Sequence, residues 1–148
     1  LFVMAALSAL PRIAPEARVL HAHDWHAALA PAYLRTHFGL SPYHRRLGAV
    51  LSVHNAGFQG HCIPESMATL GLPASLYDWR LFEWHGRVNL LKGGLAFADL
   101  VTTVSPTHAV ELRTELGGFG LHGAFDALGA RLVGILNGID QAAWDPAT

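Results

Sequence analysis

The chain has 148 residues, of which 51% are hydrophobic and only 14% charged, so it can fold around a core and is not a disordered polymer. Ten basic side chains stand against eleven acidic ones, a near-neutral balance that favours neither a nucleic-acid nor an anionic-membrane partner. The single cysteine, Cys62, excludes an internal disulfide framework and fits the reducing cytoplasm. We interpret Cys62 as a small hydrophobic loop residue. Composition says nothing about oligomeric state.

The first predicted element is an apolar stretch over residues 1–10, interrupted by Pro11 and Arg12. It is too short to span a bilayer and lacks the positively charged start of a signal peptide. We therefore expect a helix that packs on a domain core. The chain begins without methionine and closes in a turn-like sequence at residues 144–148, so we interpret it as a piece of a longer protein.

Short apolar runs predict four buried strands, at residues 19–23, 47–53, 100–104 and 132–136. The helices between them are predicted at residues 25–37, 64–70, 88–98 and 106–116. We expect Asp24 to cap the first of these helices and Pro31 to kink or divide it, while Ser105 and Pro106 mark the start of the last. Buried strands that alternate with helices predict an α/β fold with a parallel sheet, covered on both faces and connected by right-handed crossovers.

Polar residues follow every predicted strand. In open parallel sheets, ligands bind beyond the carboxyl ends of the strands, so these residues are predicted to line one wall of a cleft. Hydrogen-bonding groups with an aromatic ring, and no run of cations, suit a polyhydroxylated ligand such as a sugar. The residues concerned are His23, Asp24, Trp25 and His26 after the first strand, His54 and Asn55 after the second, Ser105 after the third, and Asn137 and Gly138 after the fourth.

A metal site is the alternative interpretation of the histidine cluster formed by His21, His23 and His26. Strand alternation places His21 and His23 on one face, which supplies two ligands, but no third ligand or carboxylate is evident at the required spacing. We interpret His21 as a hydrogen-bonded core histidine. Trp25 fits a core residue as well as a site residue.

Gly93 and Gly94 are adjacent in the helix predicted at residues 88–98. They indicate close helix packing and not phosphate contact, since no glycine-rich nucleotide-binding pattern surrounds them. The adjacent Lys92 is interpreted as a surface lysine.

Taken together in this order, several segments resemble the N-terminal domain of bacterial glycogen synthases and plant starch synthases, glycosyltransferase family five. The segments are HAHDWHA at 21–27 with APAYL at 30–34, VHNAGFQG at 53–60, LKGG at 91–94, AD at 98–99, TTVSPT at 102–107, and ILNGID at 135–140 leading to WDP at 144–146.

The resemblance implies one half of a two-domain glycosyltransferase-B (GT-B) architecture, with Rossmann-like halves facing across a cleft. It implies transfer of glucose from ADP-glucose to the non-reducing end of an α-1,4-glucan with retention of configuration, and no cofactor or metal. By matching positions, Asp24 and Trp25 help form the sugar and acceptor pocket, and His54 lies at the anomeric centre. Asn137 binds glucose hydroxyls. Asn55 and Gln59 contribute to substrate binding as supports of the His54 loop.

By the same resemblance, residues 1–148 form a partial N-terminal domain that lacks the start of that domain and the whole C-terminal domain. We therefore expect the fragment alone to be inactive and the parent enzyme to be cytoplasmic. Three alternatives stay open: a retaining glycosyltransferase with another nucleotide-sugar donor, a non-catalytic carbohydrate-binding α/β module, and a metal-dependent hydrolase built on the histidines.

Overall fold

A computed structural model describes residues 1–145 of the chain. Eight α-helices and seven strands are formed in this part, together with two short 3₁₀ turns at Ala74–Leu76 and Gly129–Arg131. In chain order they are α1 (Phe2–Ile13), β1 (Val19–His23), α2 (Asp24–Ala27), α3 (Leu29–Arg35), α4 (Pro42–Arg45), β2 (Gly48–Val53), β3 (His61–Cys62), α5 (Ser66–Thr69), β4 (Glu83–Trp84), β5 (Arg87–Asn89), α6 (Leu90–Phe97), β6 (Leu100–Thr103), α7 (Pro106–Glu111), α8 (His122–Ala127) and β7 (Leu132–Gly134).

The four predicted strands form one parallel sheet in the order β1-β2-β6-β7, which is also their order along the chain. Right-handed crossovers between strands that progress in one direction place all their helices on the same face. That face carries the fully buried Ala49, Leu51 and Val53, whereas His21 and His23 on the other face are exposed. Within residues 1–145 the predicted helical cover is therefore found on one face only.

Helix α1 continues past Pro11 to Ile13, three residues further than the sequence indicated. A proline at position 11 has no N–H to donate to the carbonyl of Leu7. The His44 ring lies with Nε2 2.9 Å from that carbonyl oxygen and supplies the missing hydrogen bond. The helix therefore tolerates the proline and buries Val3 and Leu7 in the core, which confirms the expected packing role.

The helix predicted over residues 25–37 is divided in two, as the proline indicated, but the break falls at Ala28. Pro31 then occupies the third position of α3, where a helical N–H has no intrahelical partner. All six residues from Leu29 to Leu34 are buried, and α3 packs against α6 and β2.

A second sheet of three short antiparallel strands, in the order β3-β5-β4, was not predicted. Its strand β5 occupies residues 87–89, and the last two of these were predicted to begin a helix. Asn89 ends the strand and caps α6, because its side-chain oxygen accepts a hydrogen bond from the amide of Lys92 at 2.9 Å. The helix is therefore Leu90–Phe97 and not 88–98.

Most other boundaries moved by a few residues. Helix α7 begins at Pro106 as predicted, with the Ser105 hydroxyl accepting from the amide of His108, but it ends at Glu111. There the Glu111 carbonyl accepts from both the amide and the hydroxyl of Thr114, at 2.8 and 2.7 Å. Residues 141–143 form a turn, and Pro146–Thr148 of the predicted terminal turn lie outside the described residues. In the described part of the chain, no helix has the length and apolar character needed to cross a membrane.

Candidate functional site

The carboxyl ends of β1, β2 and β7 bring three of the four predicted groups of polar residues to one edge of the parallel sheet. His23 ends β1, His54 follows β2 directly, and Asn137 lies three residues beyond β7. His23, His54 and Asn137 line the same depression of about 210 Å³. Ser105 follows β6, but its hydroxyl is used as the cap of α7.

Asp24 connects the ends of the first two strands. Its Oδ1 accepts a hydrogen bond from the backbone amide of His54 at 2.8 Å and a longer one from the amide of Asn55 at 3.4 Å. The residue adopts a left-handed backbone conformation, with φ of 53°, which aspartate tolerates better than most side chains but which still costs free energy. The predicted capping role is wrong, since the carboxylate reaches across to the neighbouring strand and α2 has no side-chain cap.

Trp25, the next residue, forms one side of a second depression of about 300 Å³, which it shares with Asp24, His26, Asn55 and Phe58. The indole is half-buried and lies tilted on the His26 ring at a centroid distance of 4.0 Å. Gly60 packs against the indole. A Cβ at residue 60 would lie 2.5 Å from the indole Cε3, and the φ of +67° is one that glycine adopts readily. Trp25 is thus packed on one side and open to the depression on the other.

Three histidines meet at the polar edge of the sheet. His23 Nδ1 and His54 Nε2 share a hydrogen bond of 3.1 Å, and the His21 ring lies against the His23 ring with centroids 4.3 Å apart. His21 Nε2 is hydrogen-bonded to the Ser52 hydroxyl at 2.7 Å, as expected, but the residue is exposed on the open face of the sheet, so its interpretation as a core histidine is wrong. Burial, followed by the charges of His23 and His54, lowers the pKa of His21 below its ordinary value.

Metal ligation was the alternative for this cluster. Among residues 1–145, no group of three histidine, cysteine, aspartate or glutamate side chains is arranged to hold a metal ion. One ring nitrogen of His21 and one of His23 are instead hydrogen-bonded to Ser52 and His54.

The loop after β2 is held by a buried amide network. Gln59 is only 6% exposed, and its Nε2 donates to the carbonyls of Ala56 and Phe119 at 2.9 and 3.0 Å. Its Oε1 accepts from Asn89 Nδ2 at 2.7 Å. Asn55 tightens the same loop, since its Oδ1 accepts from the Gly57 amide at 2.9 Å. Both amide protons of Gln59 are therefore used within the protein, whereas the exposed Asn55 also faces the depression beside Trp25.

The interpretation of Lys92 as a surface residue is wrong. The side chain is 8% exposed, and its ammonium group donates to the carbonyls of Trp79 and Glu83 while lying 5.4 Å from the centre of the Trp84 ring. Burial lowers the pKa of Lys92. Close packing at the two glycines beside it is confirmed, because a Cβ on Gly93 would overlap the Phe82 ring.

The sequence missed one residue near the candidate site and one contact within it. Asn89, fully buried, connects Gln59 to the start of α6, and an asparagine three residues before a helical amide is a recognisable capping signal. His23 was predicted to line the cleft wall, but not to contact His54. Its pairing with His54, 31 positions away, has no signature in a single sequence.

A parallel sheet with polar side chains gathered at its carboxyl edge is the arrangement of Rossmann-like ligand-binding domains. A family model described as "Starch synthase catalytic domain" matches residues 1–127. The chain belongs to this family of glycosyltransferase domains, and the predicted α/β, GT-B-type fold class is confirmed.

Individual relatives agree with the family match. The chain is 52% identical over 130 residues to a glycogen synthase of Variovorax paradoxus, covering 88% of this chain and 26% of that protein. It is 43% identical over 147 residues to a glycogen synthase of Pseudothermotoga lettingae, covering 99% and 30%. The catalytic domain of starch synthase IV from Arabidopsis thaliana, bound to ADP and acarbose, matches with a TM-score of 0.84 and 34% identity, over 99% of this chain and 30% of that one. The chain thus spans under a third of the length of these relatives.

Proposed function

We propose that this chain forms one wall of the active-site cleft of a glucosyltransferase that moves glucose from ADP-glucose to the non-reducing end of an α-1,4-glucan, with retention of configuration. The observation that carries the proposal is the hydrogen bond between Asp24 and the His54 amide, which fixes His54 at the polar edge of the sheet. Glycogen synthases among the relatives, and a neighbour bound to ADP and acarbose, support this choice of donor and acceptor.

In this function His54 is the catalytic residue. Its imidazole and its backbone carbonyl lie at the transferred glucose, where a fixed dipole stabilises the positive charge that develops on the sugar ring. Asp24 and Trp25 form the pocket for the sugar and acceptor, with the indole face offering an apolar surface to the carbon side of a sugar ring. Asn137 donates and accepts hydrogen bonds at the glucose hydroxyls. Asn55 and Gln59 hold the loop that presents His54.

The remaining parts of the proposal concern the whole protein. Residues 1–148 form part of an N-terminal domain, and the other half of the cleft is supplied by a C-terminal domain that binds the nucleotide. ADP-glucose is a substrate, and neither cofactor nor metal takes part. The enzyme works in the cytoplasm, binds no nucleic acid or membrane, and these 148 residues alone have no transferase activity.

The test is transfer of labelled glucose to glycogen by the full-length product of the reading frame that encodes this chain. We expect transfer from ADP-glucose and a loss of about a hundredfold or more in kcat for His54→Ala, since a preorganised group at the reacting centre contributes on this scale. His37→Ala, an exposed histidine at the end of α3, is the matched control and should transfer at the wild-type rate.

Transfer from UDP-glucose alone would overturn the choice of donor. Wild-type kcat in the His54→Ala protein would overturn the catalytic assignment. A folded full-length protein that binds glycogen without transferring glucose would instead identify a carbohydrate-binding module.

A further inference from the structure

A hydrogen bond restrains the imidazole of His54, as another restrains its backbone amide. Its Nε2 lies 3.1 Å from Nδ1 of His23, and the two rings are nearly parallel, with an interplanar angle of 23° and centroids 5.4 Å apart. A hydrogen bond between two ring nitrogens needs one proton, so one histidine donates and the other accepts. The contact therefore fixes both the direction of the His54 ring and the atom that it turns towards β1.

His23 can hold the His54 ring in place because the strand and a neighbouring ring hold His23 itself in place. It is the last residue of β1, with extended backbone angles, and its ring packs on that of His21. His21 is tied to the Ser52 hydroxyl, which in turn lies 2.5 Å from the hydroxyl of Thr102 on β6. A line of contacts thus runs from His23 to the third strand of the sheet.

Asp24 and His23 restrain His54 at different places. The Asp24 carboxylate holds the backbone amide, and the His23 ring holds Nε2 of the side chain. Within residues 1–145, Nδ1 of His54 makes no hydrogen bond to the protein. His54 and Asn137 line the same depression.

We propose that His23 is a positioning residue for His54: it holds the His54 ring through Nε2 and thereby leaves Nδ1 as the atom that contacts the bound sugar. The identity of the ligand as a sugar rests on the proposed function, whereas the restraint on the ring does not. Catalytic groups must be held to within a fraction of an ångström of the productive geometry, and His23 supplies that restraint from a rigid strand.

Two substitutions separate this role from simple packing. His23→Phe keeps a planar ring of similar size but has no nitrogen. His23→Asn loses the ring but places an amide group, which donates or accepts, at the position of Nδ1. His37→Phe makes the same chemical change as His23→Phe at an exposed site in the turn after α3 and is the matched control.

The first measurement is nitrogen-15 NMR of this chain labelled at histidine. We expect a through-hydrogen-bond coupling between His23 Nδ1 and His54 Nε2 and one dominant tautomer of His54. The coupling is lost in His23→Phe and kept in His37→Phe, while the amide spectrum shows that each variant is folded. Absence of the coupling in the folded wild-type chain would overturn the proposal.

The second measurement uses the full-length protein. We expect His23→Phe to lower kcat by about ten- to hundredfold with little change in the KM for ADP-glucose, as for a displaced catalytic group, and His23→Asn to recover most of the loss. Wild-type kcat in His23→Phe, or equal losses in both variants, would contradict positioning through the nitrogen. A wild-type protein without transferase activity would contradict the proposed function alone, and the NMR couplings would still decide whether His23 holds the His54 ring.

Discussion

Asp24 shows how one side chain organises the edge of the sheet. A carboxylate that accepts two backbone amides replaces the hydrogen bonds that the chain loses where β2 ends. The left-handed φ of 53° is the local cost of aiming that carboxylate at the next strand and not at its own helix.

Replacing Asp24 with alanine removes the acceptor and leaves the amides of His54 and Asn55 without it. We expect the free energy of unfolding to fall by about 1–3 kcal/mol and the His54 amide to exchange faster with solvent, because hydrogen bonds to charged groups contribute on this scale. Asp24→Asn keeps an acceptor oxygen and should lose less. Urea unfolding and amide exchange measure both effects, and unchanged exchange at His54 in Asp24→Ala would refute the bridging role.

His21 makes stability depend on pH. Its pKa is lowered in the folded chain from an ordinary value of 6.5, so below that pH the unfolded chain takes up a proton that the folded chain resists. Stability from this group is therefore present above pH 6.5 and is lost as the pH falls towards the lowered value, where the loss levels off. Burial, followed by the charge of Arg87, also lowers the pKa of His61, so this residue changes stability with pH in the same direction.

We expect His21→Gln to lose less stability than the wild type between pH 7.5 and pH 5.5, as measured by urea unfolding at both values. His61→Gln tests the second contribution separately. An identical pH dependence in the wild type and His21→Gln would show that His21 takes up its proton equally well in both states.

At the residue scale, the sequence predicted which residues gather at the candidate site but not the contacts that each of them makes. Asp24, Trp25, His54, Asn55 and Asn137 could be predicted because strand ends and the family resemblance both select them. The contacts of each atom could not be predicted, because the partners of Asp24 lie just after another strand, 30 and 31 positions away.

At the element scale, α6 connects the small antiparallel sheet to the core. Its two glycines have different neighbours: Gly93 faces the fully buried Phe82, and a Cβ on Gly94 would lie 2.6 Å from the carbonyl oxygen of Ala28. A side chain at either position would push α6 away from Phe82 or Ala28. Because Asn89 both caps α6 and is hydrogen-bonded to Gln59, a shift of the helix would reach the loop after β2.

Gly93→Ala is expected to destabilise the fold by about 1–3 kcal/mol or more, since the Phe82 ring has no space to move into. Gly123→Ala in α8 is the matched control, because a Cβ there meets nothing within 4 Å. That substitution should be neutral or stabilising by about 0.4–1 kcal/mol through reduced freedom of the unfolded chain. Thermal unfolding of both variants provides the comparison, and equal effects would disprove the packing explanation.

The elements that the sequence predicted are those with a local signal. Strands of the parallel sheet are continuous apolar runs, and α7 has a serine cap followed by proline. The antiparallel strands β3, β4 and β5 have two or three residues each and are stabilised by distant pairing, so no periodicity reveals them. Helix α1 ran past Pro11 only because His44, far along the chain, satisfies the carbonyl of Leu7.

At the scale of the whole molecule, a parallel sheet gathers the candidate site residues at the edge where its strands end. Helices on one face hold the strands, the second sheet and α6 hold the loop after β2, and the carboxyl ends of the strands present Trp25, His54 and Asn137. The fold class was predictable from the alternation of buried strands and helices, whereas the cover of a single face follows from the strand order, which composition does not encode.

The most direct measurement is a crystal structure of the full-length product of the reading frame with ADP and a maltooligosaccharide bound. We expect a sugar ring at the edge formed by Asp24, Trp25 and Asn137, within hydrogen-bond distance of His54, and the nucleotide across the cleft. A sugar found only elsewhere on the protein, with this edge empty or covered by another part of the chain, would contradict the assignment of the site.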